Sequence, residues 1–92
     1  MSWPERLEEY YVMPEYPEVA RLARIEGRVI LQAVVLRDGS VADLEILKCN
    51  HPNLGFEESA IAAVARWRYR PATQNGVPVD VFFTVNVEFT LL

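Results

Sequence analysis

The side chains that could do covalent or metal chemistry are few in this sequence, and they do not form a complete site. Cys49 and His51 have a Cys-x-His spacing, but a zinc ion needs further ligands and the sequence holds no second cluster of ligand residues. Ser59 lies within an apolar-periodic segment and lacks the glycines of a nucleophile elbow. The sequence therefore predicts no metal, no cofactor and no catalytic site, and we do not expect an enzyme.

The acidic pairs Glu8-Glu9 and Glu57-Glu58 come closest to an acid–base arrangement. Adjacent residues on a helix point in different directions, so we interpret both pairs as solvated or dipole-matching charges. The net charge of −4 also argues against a nucleic-acid binder with a basic surface.

The segment Arg66–Arg70 alternates arginine with Trp67 and Tyr69. Two interpretations are open. Either the two aromatic residues anchor a core while the arginines are solvated, or the segment stacks on bases or meets an acidic receptor surface.

The length of 92 residues predicts one domain with a modest core, and the single cysteine excludes an internal disulfide. No run approaches the roughly 20 apolar residues of a membrane span. The first residues also lack the basic-then-apolar order of a secretory signal. For a complete chain this pattern is typical of an intracellular domain. If the chain is a piece of a longer protein, the pattern does not indicate its location.

Two segments predict helices. The first, "YPEVARLARIEG", starts with Pro17 at the first helical position and stops at Gly27. The second, "FEESAIAAVARWRY", has helical periodicity and ends before Pro71. The apolar side of the first helix is predicted to comprise Val19, Leu22, Ala23 and Ile25. The apolar stripe of the second is predicted to comprise Phe56, Ala60, Val64 and Trp67.

Three strands complete the predicted fold. Two β-rich runs flank Asp38-Gly39, a dipeptide that tolerates the positive φ of a tight hairpin. A long strand follows Gly76 and alternates apolar and polar residues to the chain end, with Phe82 the one large apolar residue on its polar side. We therefore predict an α+β domain, a three-stranded antiparallel sheet with two helices on one face (helix–strand–strand–helix–strand). Residues 1–15 are predicted to be a partly ordered lead-in, and residues 16–92 the domain itself.

The long last strand raises the question of what pairs with it. It contains no lysine and, from residue 79 onward, no proline, so it lacks two common devices that protect a sheet edge. It is therefore central, covered by the lead-in, paired with a second copy, or open to a partner strand.

Four successive segments resemble the C-terminal domain of the TonB family, the energy transducers of Gram-negative envelopes. They are "YPEVARLARIEGRV", "VVLRDGSVADLEIL", "ESAIAAVARWRYRPA" and "NGVPVDVFFTVNVEF". The positions that carry the resemblance are Tyr16, Pro17, Gly27, Asp38, Gly39, Trp67, Tyr69, Pro71 and Gly76.

The resemblance implies mechanical coupling. Domains of this family lie in the periplasm, at the C-terminal end of an inner-membrane-anchored protein that works with inner-membrane motor proteins. They capture the TonB box, an extended segment of an outer-membrane receptor, by β-strand addition and transmit energy for nutrient uptake. No cofactor and no nucleic acid are implied.

The resemblance also implies a set of partner-binding residues. Those expected along the edge strand are Val81, Phe83, Val85, Asn86, Val87, Glu88 and Phe89. Those expected in the helix and groove are Arg21, Arg24, Ile25 and Arg28. Enterobacterial members have a glutamine where this chain has Arg21, which predicts a different set of receptors.

Three alternatives stay open at this stage. A TolA-like or other envelope adaptor would bind a different protein without transmitting force. A homodimer would form by pairing of the last strands. A small nucleic-acid binder would use the sheet face and Phe82, with salt-dependent affinity.

Overall fold

Three long strands form the main sheet. The computed structural model describes residues 1–91, so Leu92, which the prediction includes in the domain and in the last strand, lies outside the described residues. A 3-10 turn spans Glu8–Tyr10. The two helices are α1 (Glu18–Leu22) and α2 (Phe56–Val64). The strands are β1 (Glu5–Arg6), β2 (Gly27–Val35), β3 (Val41–Cys49), β4 (Tyr69–Arg70), β5 (Ala72–Gln74), β6 (Val77–Val79) and β7 (Val81–Phe89).

The main sheet is antiparallel and has the strand order β3-β2-β7. Odd-numbered residues of β2 are fully buried on the face that α2 covers, as the two-residue period of a strand requires. The predicted three-stranded α+β fold is confirmed. The predicted α2 stripe is confirmed for Phe56, Ala60 and Val64, which are buried in the helix, whereas Trp67, its predicted fourth member, is buried but lies beyond the helix end.

The predicted apolar side of α1 is wrong. Val19 and Leu22 are 65% and 68% exposed, and the buried residue of this helix is Ala20. The helix has only five residues and closes with the Ile25 N–H donating to the Ala20 carbonyl. Such a short helix turns one residue toward the core, and a small side chain there lets the backbone approach closely.

The second helix is shorter than predicted. It ends at Val64, and Tyr69 already belongs to β4. Tertiary hydrogen bonds replace further helical turns: the Trp67 indole N–H donates to the Val12 carbonyl at 2.8 Å, and the Tyr69 N–H donates to the Gly39 carbonyl at 2.9 Å. Both aromatic side chains are buried and the neighbouring arginines are exposed, so these aromatic residues anchor the core.

The lead-in is attached to the domain through short strands. β1 pairs with β4, and Ser2 forms an isolated bridge with Thr73. The Arg6 guanidinium lies over the rings of Tyr11 and Trp67, at 4.4 and 4.8 Å from their centroids. The lead-in therefore covers the outer side of a core tryptophan.

The long strand expected after Gly76 is divided in two. β6 pairs with β5 in a small hairpin, Asp80 interrupts, and β7 then joins the main sheet and ends at Phe89.

Two glycines allow close approaches that the fold requires. A Cβ on Gly27 would lie 2.5–2.8 Å from ring carbons of Phe56, so only glycine lets α2 lie this close to β2. Gly39 has φ +89° and sits against the Tyr69 carbonyl, where a side chain would clash.

Candidate partner-binding edge of the sheet

The outer edge of β7 is the candidate binding site. Among residues 1–91, β7 pairs only with β2, and the lead-in pairs with β4 instead. The interpretation that the lead-in covers this strand is therefore excluded, and so is a central position in the sheet. All nine residues of β7 pair with β2 without a register shift, so the edge is regular along its whole length.

Hydrogen bonds at Arg28 reveal which backbone groups face this edge. The Arg28 N–H donates to the Asn50 side-chain oxygen at 2.8 Å, and the Arg28 carbonyl accepts from the Asn50 N–H. Arg28 thus turns its backbone groups toward β3. Because successive residues of a strand alternate, Gly27 and Val29 turn theirs toward β7.

The register then shows, for each residue of β7, whether its backbone N–H and C=O groups face β2 or the open side; this alternation is the parity of β7. Gly27 lies opposite Phe89 and Val29 opposite Val87, so the odd-numbered residues of β7 form the hydrogen-bonded pairs with β2. The even-numbered residues have their N–H and C=O groups on the open side. They are Phe82, Thr84, Asn86 and Glu88.

This parity divides the predicted edge residues into two groups. Of the predicted set, Asn86 and Glu88 present free backbone groups at the edge. The odd-numbered members point their side chains toward the helix-covered face; Val85, Val87 and Phe89 are buried there and Val81 and Phe83 are partly buried. Phe82 and Thr84 were missing from the prediction, although the alternation itself, combined with the strand order, contains the signal that identifies them.

Carboxylates fasten both ends of β7. Asp80 accepts a hydrogen bond from the Arg37 N–H at 2.7 Å and so ties the start of β7 to the β2–β3 turn. Glu26 accepts from the Leu91 N–H at 2.7 Å beyond the other end. Both ends of β7 are therefore held in place. The addition of a strand at this edge would cost the domain little further conformational entropy. The sequence pattern gave no indication of either contact.

The predicted helix-and-groove residues lie in different places. Arg21 and Arg24 line a hollow of about 310 Å³ together with Leu22 and Leu91, just past the end of β7. Arg28 lies on the helix-free face of the sheet and forms an ion pair with Glu88 at 3.1 Å. Both partners are more than half exposed, so this pair contributes little to stability.

Ile25 has a structural position. It is partly buried and packs against the core, and its carbonyl accepts a hydrogen bond from the Tyr16 hydroxyl at 2.6 Å. Burial and the nearby Glu26 carboxylate raise the pKa of Tyr16, so the phenol keeps the proton that it donates. Tyr16 also contacts the rings of Phe56 and Phe89 edge-on. Tyr16 therefore links the loop after α1, through its hydrogen bond to Ile25, to the end of β7, through its contact with Phe89.

The remaining motif residues shape turns and connections. Pro17 precedes α1 and Pro71 separates β4 from β5. Gly76 has φ +79° in the β5–β6 turn. Asp38 accepts hydrogen bonds from the Ser40 N–H at 2.9 Å and the Ser40 hydroxyl at 2.6 Å, and these bonds lower its pKa.

The side chains that the sequence offers for metal or thiol chemistry, Cys49 and His51, lie outside the edge of β7. Cys49 is a free, partly buried thiol, and burial raises its pKa. Within residues 1–91, no three His, Cys, Asp or Glu side chains are grouped as a metal site would require. Over the same residues, neither helix has the length and apolarity needed to cross a bilayer.

Comparison with known proteins decides the family. Residues 12–91 match the family model described as "Gram-negative bacterial TonB protein C-terminal". The chain belongs to the TonB C-terminal family. It is 38% identical over 74 residues to the TonB protein of Escherichia coli K12, and 40% identical over 78 residues to that of Klebsiella pneumoniae. These alignments cover 79% and 82% of this chain but only 30% and 31% of the two relatives.

A solved TonB domain has the same fold. The solution NMR structure of the Pseudomonas aeruginosa TonB C-terminal domain superposes with a TM-score of 0.77 at 28% identity, covering 99% of this chain and 89% of that one. The resemblance in the sequence is thus confirmed by both sequence and fold. The chain spans about a third of the length of the curated TonB relatives, and it corresponds to their C-terminal region.

Proposed function

We propose that this domain captures the TonB-box segment of an outer-membrane transporter by β-strand addition to the outer edge of β7. It would do so in the periplasm, as the receptor-coupling end of a longer, inner-membrane-anchored protein that works with motor proteins. The bound segment would then transmit energy for nutrient uptake. The role is mechanical and not enzymatic, in keeping with membership of the TonB family.

The observation that carries this proposal is the regular edge of β7. The backbone groups of Phe82, Thr84, Asn86 and Glu88 are arranged to bond one further strand, without any rearrangement of the domain. Each such bond contributes only about 0.5–1.5 kcal/mol net. A load along the added strand, however, acts on several bonds in shear at once. A short segment can therefore carry tension with a small interface.

The hollow between Arg21, Leu22, Arg24 and Leu91 lies past the end of this edge. A captured segment that extends beyond β7 would meet two guanidinium groups and two aliphatic side chains there. We propose that this hollow contacts the residues that flank the captured segment, and that Arg21 contributes to the choice of receptor.

Hydrogen exchange tests the capture directly, because the parity of β7 gives a specific pattern. In the free domain, the amides of Phe83, Val85 and Val87 should exchange slowly, and those of Thr84, Asn86 and Glu88 rapidly. Saturation with a synthetic TonB-box peptide should slow the second group.

A matched pair of peptides controls this experiment. N-methylation at every second residue blocks the hydrogen bonds of one edge of the peptide only, so one parity should abolish binding and the other should leave it nearly unchanged. Equal effects of both parities, or no protection of Thr84, Asn86 and Glu88, would reject strand addition. Protection that depends on protein concentration without peptide would instead reveal pairing between copies.

A further inference from the structure

Phe82 is out of place on the surface of β7. It is 71% exposed on the helix-free face, where the other three β7 side chains are Thr84, Asn86 and Glu88. Phe83, by contrast, packs edge-on against Tyr69 on the covered face. A threonine at position 82 would suit a strand equally well, so the fold itself gives no reason for an exposed phenylalanine.

An apolar row crosses the sheet at this level. Phe82 lies opposite Val34 of β2, and Val34 lies opposite Ala42 of β3. The next rows along β7 are polar or mixed: Gln32 faces Thr84, Ile30 faces Asn86, and Arg28 faces Glu88. The apolar row therefore runs across all three strands and reaches the open edge at Phe82.

The same residue also presents free backbone groups. Because the N–H and C=O of Phe82 face the open side, an added strand would bond this residue and place a side chain directly beside its ring. Side chains opposite each other on neighbouring strands lie about 4.5–5.5 Å apart and contact one another. The ring is thus located where a fourth strand would extend the apolar row.

We propose that Phe82 is a specificity-determining residue of the capture site. It selects a segment with a large apolar side chain, aromatic or branched aliphatic, at the position beside it on the helix-free face. This inference rests on the proposed capture by β7. It adds that the contact sets the register of the segment: a slip of one residue would move the apolar side chain to the other face, and a slip of two would place it beside Thr84.

A double-mutant cycle tests the proposal. Each residue of the TonB-box peptide is replaced in turn by threonine, and each peptide is titrated into the wild-type domain and the Phe82→Thr variant. For the wild type, one apolar position should stand out, and its replacement should weaken binding about fivefold, the upper range for a cross-strand pair. The same replacement should have almost no effect on Phe82→Thr, whereas Phe82→Leu should retain the preference.

Val77→Thr is the matched control. Val77 is also an exposed apolar residue, 60% exposed, but it lies in β6 outside the edge. This variant should bind every peptide as the wild type does. Unchanged binding by Phe82→Thr with no coupling to any peptide position would overturn the role of Phe82 and leave strand capture intact. Failure of the unaltered peptide to protect Thr84, Asn86 and Glu88 would overturn both proposals.

Discussion

The two edges of the main sheet differ in almost every feature that governs strand addition. β3 forms one edge and shifts register against β2 twice, after Ile30 and after Gln32. Within it, Asp43 has φ +51°. β7 forms the other edge and keeps nine consecutive pairs with β2. No residue within β7 has a positive φ.

The side chains strengthen this difference. β3 exposes Asp43, Glu45 and Lys48, while Glu88 is the one charged residue of β7. Bulges and charged side chains, lysine above all, are the devices by which natural sheets prevent association at an edge. One edge of this small sheet is therefore protected and the other is not. Since the same sheet has both edges, the open edge of β7 follows from the residues of this strand rather than from the small size of the sheet.

Proline substitutions should give the largest effects. Val85→Pro removes an N–H that pairs with Leu31, and should lower the free energy of unfolding by about 3 kcal/mol or more. Asn86→Pro removes an N–H that faces the open side and should lower it by only about 1 kcal/mol. Chemical denaturation of the two variants measures the difference.

These adjacent substitutions remove backbone N–H groups that point to opposite sides of β7. Val85 is buried and Asn86 is exposed, so Val85→Ala and Asn86→Ala serve as the references that account for the lost side chains. Asn86→Pro should still fold but bind the TonB-box peptide up to about tenfold less tightly, since one hydrogen bond of about 0.5–1.5 kcal/mol is lost at the centre of the edge. Equal losses of stability for Val85→Pro and Asn86→Pro would contradict the assigned parity.

A lysine on β7 should reproduce the protection of β3. Thr84 is exposed, so Thr84→Lys should leave the melting temperature nearly unchanged and weaken peptide binding about tenfold, because a charged side chain opposes strand addition at an edge. Titration calorimetry measures the affinity. The reciprocal variant, Lys48→Thr, should not create a second binding site, since the register shifts of β3 remain. A second site in Lys48→Thr would show that charge alone protects that edge.

Removing a bulge from β3 should increase self-association of the domain through that edge. Leu47 lies between Lys48, which pairs with Ile30, and Ile46, which pairs with Leu31, so it is the extra residue of that shift. Deletion of Leu47 should remove this shift and leave the second one, so β3 would pair regularly with residues 29–32 of β2. The longer regular stretch should raise the tendency to self-associate a few fold, measured by sedimentation velocity over a range of concentrations. The Leu47→Thr variant keeps the extra residue and should remain as monomeric as the wild type. Association of both variants would point to the loss of the side chain and not to the bulge.

The pattern of the sequence was sufficient for the main sheet and for the α2 stripe, because both depend on periodicities that persist over nine residues. It failed for α1, where five residues are too few for a stripe to be reliable. It also failed at Trp67, where a hydrogen bond to Val12, 55 residues earlier, replaces further helical turns. Periodicity within one segment of the sequence does not predict such long-range contacts.

The candidate site was predictable in part for the same reason. Alternation identified β7 as a strand with one buried face. Which of its residues turn their backbone groups to the open edge depends, however, on the side of β7 on which β2 lies. The strand order β3-β2-β7 fixes that side, and the two hydrogen bonds between Arg28 and Asn50 identify which residues of β2 face β3 and which face β7. The fastening of β7 by Asp80 and Glu26 depends on tertiary contacts 43 and 65 residues apart in sequence, which local patterns do not encode.

The smallest predicted effect concerns pH and the attachment of β3. The hydrogen bonds from Ser40 lower the pKa of Asp38 below the usual aspartate value of about 3.9. A carboxyl group whose pKa is lower in the folded state stabilises the fold above its unfolded pKa, and this contribution is lost as the pH falls through the folded value. Acidification below about pH 4 should therefore weaken the β2–β3 turn, and the amides of β3 next to the turn should lose exchange protection before those of β7. The Asp38→Asn variant keeps a side chain suited to the turn but does not titrate, so its stability should change less with pH over this range. Parallel pH profiles for Asp38→Asn and the wild type, or an equal loss of exchange protection in β3 and β7, would show that groups other than Asp38 govern the acid response.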